Sequence, residues 1–157
     1  MNKKMIVYFT YTNNTKLIAN KIKDKLNCDI LELKPVNPYS SDYQKVVDEE
    51  EKNNNCLREI QDINIDLKEY DTIILGTPVW WYTITPVVRT FLTKYNLKGK
   101  TIVPFATNAG WLGNTFKEIK ELCKDSNVKN EADIVFESYS DKLKTSEEYI
   151  NNWIDNI

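Results

Sequence analysis

Histidine is absent from this chain of 157 residues. That gap removes Ser-His-Asp and Cys-His catalysis and imidazole metal ligation together, so redox or group-transfer chemistry here has to be borrowed from a cofactor. Cysteine is scarce as well. Cys28, Cys56 and Cys123 are odd in number and lack Cys-x-x-Cys spacing, which speaks against a disulfide framework or a zinc site and favours a reducing cytoplasm. Only four glycines are present, and none builds a Gly-x-x-x-x-Gly-Lys-[Ser/Thr] or Gly-x-Gly-x-x-Gly phosphate cradle. No apolar run approaches membrane-spanning length, and the one after Met1-Asn-Lys-Lys is too short for a signal peptide. Charge of either sign is nearly balanced: 21 Lys and Arg against 23 Asp and Glu leave −2, without the basic stripe of a nucleic-acid binder.

What remains is a composition, 41% hydrophobic and 28% charged, that suits one globular domain over residues 1–157. Five short apolar, β-branched runs are expected as strands: Met5 to Phe9, Asp29 to Leu33, Thr72 to Leu75, Thr101 to Phe105 and Ala132 to Phe136. Between them apolar residues recur at helical spacing. Leu17, Ile18, Ile22 and Leu26 predict the first helix, and Tyr43, Val46 and Val47 open a second, expected from Tyr43 to Leu57. That helix runs into Asp48-Glu-Glu-Glu-Lys-Asn-Asn-Asn55, read as a solvated end or as an acidic docking patch. Ile63, Ile65 and Leu67 alternate, as in an extended connection. Thr85-Pro86 starts a third helix through Ile84, Val87, Val88, Phe91, Leu92 and Tyr95, and Asn114 or Thr115 a fourth that buries Phe116, Ile119 and Leu122. Thr145-Ser-Glu-Glu148 reads as the capping box of a last helix carrying Ile150, Trp153, Ile154 and Ile157. Strands alternating with helices predict an α/β fold, a doubly wound five-stranded parallel sheet with helices on both faces.

Ligands of such a sheet bind outside the carboxyl ends of the strands, so the polar and aromatic loops there are the candidate site. The first is Thr10-Tyr11-Thr12-Asn13-Asn14-Thr15, leading into a helix. The unpartnered N–H groups and positive dipole end of that helix suit an anion, and the three Thr hydroxyls and the Asn14 amide are further donors. The same residue types are also ordinary N-caps. The second loop, Thr77-Pro78-Val79-Trp80-Trp81-Tyr82-Thr83, spends two Trp and a Tyr where polar residues are usual. That is economical if a flat ligand covers them or if they pack on neighbouring helices. The third, Thr107-Asn108-Ala109-Gly110-Trp111-Leu112-Gly113, combines amides with two glycines that permit close backbone approach.

The first loop resembles the flavodoxin phosphate loop, [Ser/Thr]-x-Thr-Gly-Asn-Thr, with Thr10, Thr12, Asn14 and Thr15 on its positions and Asn13 where the family usually has Gly. Asn tolerates positive φ, but it places a side chain where backbone would approach the ligand. The resemblance continues through Pro38-Tyr39, Tyr70-Asp71, Gly76-Thr-Pro-Val-Trp-Trp81, Thr85-Pro86, Phe91-Leu92, Leu97-Lys-Gly-Lys100-Thr-Ile-Val-Pro-Phe105 and Ile150-Asn-Asn-Trp153. It implies strand order 2-1-3-4-5 and non-covalent FMN, with Trp80 or Trp81 on one ring face; Trp111 departs from the subgroup's usual small residues and stands close to where flavodoxins can place a second stacking aromatic. The subgroup includes both electron carriers and NAD(P)H-dependent oxidoreductases; a ring sandwiched between Trp80 and Trp111 leaves little room for a nicotinamide and favours an electron-transfer carrier served by redox partner proteins, a reductase and an acceptor, as a monomer or weak dimer without nucleic acid or membrane. The absence of Lys and Arg from both ring loops predicts a low potential, because no cation offsets the charge of the reduced flavin. Asn108 or a nearby carbonyl is the candidate partner of the flavin nitrogen. An NAD(P)H-dependent oxidoreductase acting on quinones or similar acceptors is the alternative. A receiver domain would need acidic residues where Phe9-Thr10 stand.

Overall fold

The computed structural model describes residues 2–157. Its sheet is parallel, as the alternation of elements demands. β1 (Lys4–Tyr8) lies between β2 (Asp29–Glu32) and β3 (Thr72–Pro78), and β3 pairs with β4 (Thr101–Asn108). Two short strands, β5 (Asn127–Val128) and β6 (Ala132–Val135), share the far side of β4. The order is therefore β2-β1-β3-β4-β5 with β6 also on β4.

The expected fifth strand is β6, and the two-residue β5 before it is not expected from the sequence. Between the two Asn130 adopts φ 56°, and its carbonyl accepts the Trp153 indole N–H at 2.7 Å. The turn is a docking point for the last helix. β3 and β4 also run further than their apolar cores suggest. Pro78 pairs with Thr107 in register, so the first residues of the second and third loops are strand ends.

Side chains alternate across the sheet. Met5, Val7, Ile73 and Leu75 face α3 (Pro86–Lys94) and α4 (Thr115–Leu122), while Ile6, Tyr8, Ile74 and Val103 face α1 (Asn14–Leu26) and α5 (Glu147–Asp155). In α1 the buried stripe is Thr15, Ile18, Ala19 and Ile22. Leu17, expected inside, is largely exposed, because the contact with the sheet follows the Thr15–Ile18–Ile22 line. In α4 Ile119 is fully buried and Phe116 and Leu122 only partly. α5 is capped by Ser146, whose hydroxyl accepts from Tyr149 N–H. Thr145, expected in that role, instead accepts from the N–H of Val135 at 2.8 Å. α3 begins with the expected Thr85 cap and Pro86.

Helix α2 (Tyr43–Asn53) stops four residues short of Leu57. The side chain of Asn54 donates to Trp80 O at 2.8 Å, and the buried guanidinium of Arg89 donates to the carbonyls of Asn54 and Cys56. A cation from another helix satisfies the carbonyl end of this one. Gly76 is needed for packing. An added Cβ would stand 2.3 Å from the ring of Phe105, a fully buried side chain. Among the described residues no helix is long and apolar enough to cross a membrane.

Candidate functional site

The turn after β1 is built on Asn13, which sits at φ 75° as the cap of α1 and makes no side-chain cap bond. A left-handed residue there turns the chain so that the first-turn N–H groups point outward. Its carbonyl starts the helix by accepting from Leu17 N–H at 2.9 Å. The hydroxyl of Thr10 is buried and has no hydrogen-bond partner. Two other expected donors are engaged by the protein, while Thr12 is exposed: Thr15 Oγ1 lies 2.7 Å from Thr107 Oγ1, tying the first loop to the third, and Asn14 Nδ2 donates to Ser140 O at 3.0 Å. Tyr11 turns away to donate to Ser40 O at 2.5 Å.

The second loop is a tight hairpin. Trp80 and Thr83 exchange both backbone hydrogen bonds, at 3.0 and 3.2 Å, and the residues between them, Trp81 and Tyr82, have φ 50° and 66°. Two successive positive φ values suit Asn-Gly; for large aromatics each costs about 1–2 kcal/mol. The surroundings hold the strain in place. The Tyr82 carbonyl accepts from Asn114 N–H at 2.7 Å and lies 2.3 Å from where a Gly113 Cβ would be. The Thr83 hydroxyl donates to Glu118. Glu118 in turn pairs with Arg89, Nε to Oε2 at 2.6 Å and Nη2 to Oε1 at 2.9 Å. Burial alone would raise the Glu118 carboxyl; Arg89, the Thr83 hydroxyl and a backbone N–H outweigh it and hold the group below the usual carboxylate range.

The two Trp of this hairpin point differently, as neighbouring residues must. Trp80 is half-buried in an edge-on aromatic cluster with Phe9, Tyr11 and Tyr39, at centroid distances of 5.7, 5.8 and 5.0 Å. Trp81 and Tyr82 are exposed. In the third loop, Asn108 accepts from the N–H groups of Gly110 and Trp111 at 2.8 and 3.1 Å and donates to Asp133 at 2.7 Å. Its amide, considered from sequence as a ligand for the flavin nitrogen, is committed to shaping the loop. The loop presents Trp111, 65% exposed, edge-on to Tyr82 at 6.4 Å.

These loops enclose a cleft of about 550 Å³, within the range of cofactor sites. Of the residues expected from sequence, Tyr11, Thr12, Asn14, Pro78, Val79, Trp80, Thr107, Asn108, Ala109 and Trp111 line it. Trp81 and Tyr82 line instead an adjoining pocket of about 360 Å³, which shares Tyr11, Tyr43, Val79, Trp80, Trp111 and Tyr139 with the cleft. Thr10, Asn13, Thr15, Gly110 and Gly113 shape the walls from behind without lining either space.

Two walls escaped the sequence reading. One is the loop after β6, Glu137 to Asp141, whose Tyr139 is 91% exposed. An aromatic inside Glu-Ser-Tyr-Ser-Asp at a strand's carboxyl end is the signal that marks it. The other is the face of α2 carrying Tyr43, Val46 and Val47, which reads in sequence as core. Neither space is lined by Lys or Arg, whereas Glu50, Glu137 and Asp141 do line them.

A family model described as Flavodoxin matches residues 3–157. The chain belongs to the flavodoxin family. Among solved structures, a candidate flavoprotein of Bacteroides eggerthii is 28% identical, with a TM-score of 0.80 over 100% of this chain and 98% of its own. A flavoprotein of Lactobacillus acidophilus solved in complex with FMN is 27% identical, with a TM-score of 0.71 over 85% of this chain and 93% of its own. Flavodoxin 1 of Bacillus cereus, 13% identical with a TM-score of 0.58 over 99% of this chain and 94% of its own, shares the fold. No curated protein matches the chain. The sheet order is that of the family's fold.

Proposed function

We propose that this chain is an FMN-binding electron carrier that works at low potential. The observation that carries the reading is the lining of the cleft: an anion-suited helix start at one end, aromatic walls at the other, acidic groups and no Lys or Arg. The residues present fit FMN. Thr12 and Asn14 line the cleft at the first turn of α1, whose N–H groups suit its phosphate, and the Thr10 hydroxyl, buried without a partner, lies just before that turn. Trp80 and Trp111 flank the space for its ring. Bound there, FMN supplies one- and two-electron chemistry.

The protein's own contribution is electrostatic and steric. Aromatic walls exclude water, and the lack of a cation leaves negative charge on a reduced ring uncompensated, which lowers the potential for the last electron. Asn108 fixes the backbone that carries Trp111. The exposed Trp81, Tyr82, Trp111 and Tyr139 surround the mouth and form a docking rim for a reductase and an acceptor. The second reading, an NAD(P)H-dependent oxidoreductase, draws on the pocket beside the cleft, which offers room for a second molecule.

An anaerobic titration of the FMN-loaded protein distinguishes them. No reduction by NADH or NADPH, followed by two separate one-electron steps with dithionite, supports the carrier. Direct two-electron bleaching by a nicotinamide nucleotide makes it an oxidoreductase.

A further inference from the structure

The smaller pocket has chemistry of its own. Its buried polar wall is Glu50, a residue of α2 that is only 3% exposed although it sits in the run Asp48 to Lys52. Glu50 Oε2 has no hydrogen-bond partner. The nearest cation, Arg58, reaches the other oxygen at 3.9 Å and is held elsewhere: its guanidinium lies 3.6 Å over the Tyr39 ring, pairs with Glu49 at 3.2 Å and donates to Asn37 O. A buried carboxylate with a free oxygen is costly to the fold.

The remaining walls are largely aromatic, among them Tyr43, Trp81, Tyr82 and Tyr139, with no Lys or Arg. Ring faces carry negative potential, so walls and carboxylate favour the same kind of guest. A metal ion is a poor match, because Ca²⁺ and Mg²⁺ need six or more oxygen ligands. We infer that this pocket is a second ligand site for a small organic cation, an ammonium or amidinium on an apolar body, whose N–H groups donate to the free oxygen of Glu50 while the rings enclose it. This inference stands apart from the FMN reading. A guest here would sit beside the cleft, against walls that the two spaces share: Tyr11, Tyr43, Val79, Trp80, Trp111 and Tyr139.

Benzamidine, a flat aromatic cation, and benzamide, its neutral near-isostere, are the probes, followed by calorimetry and Trp fluorescence on FMN-free and FMN-loaded protein. Benzamidine is expected to bind at least about tenfold more tightly than benzamide, with or without FMN. Glu50→Gln removes that preference, and Trp81→Leu, a change at an exposed wall, weakens benzamidine several-fold. Equal binding of the two probes, binding of neither, or a preference that survives in a folded Glu50→Gln protein overturns the site. Displacement of benzamidine by FMN also overturns it, since the pocket would then be part of the cofactor cleft. Should Glu50→Gln fail to fold, unchanged affinity in Trp81→Leu overturns the proposal and weakened affinity supports it. If the chain takes no FMN, the FMN-free arm still reads the pocket, so the two failures are distinguishable.

Discussion

Asn13 shows how a single side chain tunes a binding loop. Its φ of 75° is available to Asn at modest cost and to Gly at none, but is unfavourable for residues with an ordinary Cβ. Asn13→Ala is expected to lose about 1 kcal/mol of stability, measured by urea denaturation. Asn13→Gly should stay within about 0.5 kcal/mol and leave FMN affinity nearly unchanged, because the Asn13 side chain lines neither the cleft nor the pocket beside it. Quenching of FMN fluorescence checks the affinity. Glu50 makes a second case. Burial holds its carboxyl above the usual range, aided by Glu49 and opposed by Arg58 and Arg89. A folded-state pKa above the unfolded one means that stability is lost as pH rises through the folded value. Glu50→Gln should therefore melt above the wild type at pH 7 to 8, and the gap should close towards pH 4, as read by thermal scans at several pH values.

At the scale of elements, the Trp80–Thr83 hairpin is held by parts of three helices: Asn54 beyond the end of α2, Arg89 of α3, and Glu118 with the Asn114 N–H at α4. Strain in the turn is tolerated because its flanks are fixed. Gly113 is the weak point, since it has φ 55° and lies where a Cβ would strike the Tyr82 carbonyl. Gly113→Ala is expected to cost about 2 kcal/mol and to shift Trp emission as the hairpin lifts, while far-UV circular dichroism stays the same. Equilibrium unfolding measures the loss. A mutant as stable as the wild type would show that the loops yield independently of each other.

For the whole molecule the relevant quantity is its near-neutral charge of −2. Long-range steering needs a strong field, and the mouth of the cleft is aromatic rather than charged. Electron transfer from FMN-loaded protein, first reduced with dithionite and freed of excess, to oxidised cytochrome c, a basic acceptor, should change less than about threefold between about 0.05 and 0.5 M salt, followed by stopped-flow absorbance. A steep fall with salt would place docking on acidic residues such as Asp48 and Glu51 rather than on the aromatic rim.

The sequence by itself determined the parallel α/β sheet, both helices that flank the second and third loops, and the three loops at the strand ends. It could do so because local periodicity and capping chemistry are short-range properties: Thr85-Pro86, the β-branched strands and the Thr/Asn-rich turn each act within a few residues. The tertiary structure decided what depends on residues far apart in the chain. It added the short β5 and turned the chain at Asn130 to receive Trp153, ended α2 against Arg89, committed Asn108 to its own loop, buried Glu50 within an acidic run and brought Glu137 to Asp141 to the cleft. Those outcomes rest on hydrogen bonds and contacts between distant elements, and no local pattern records which partner will arrive.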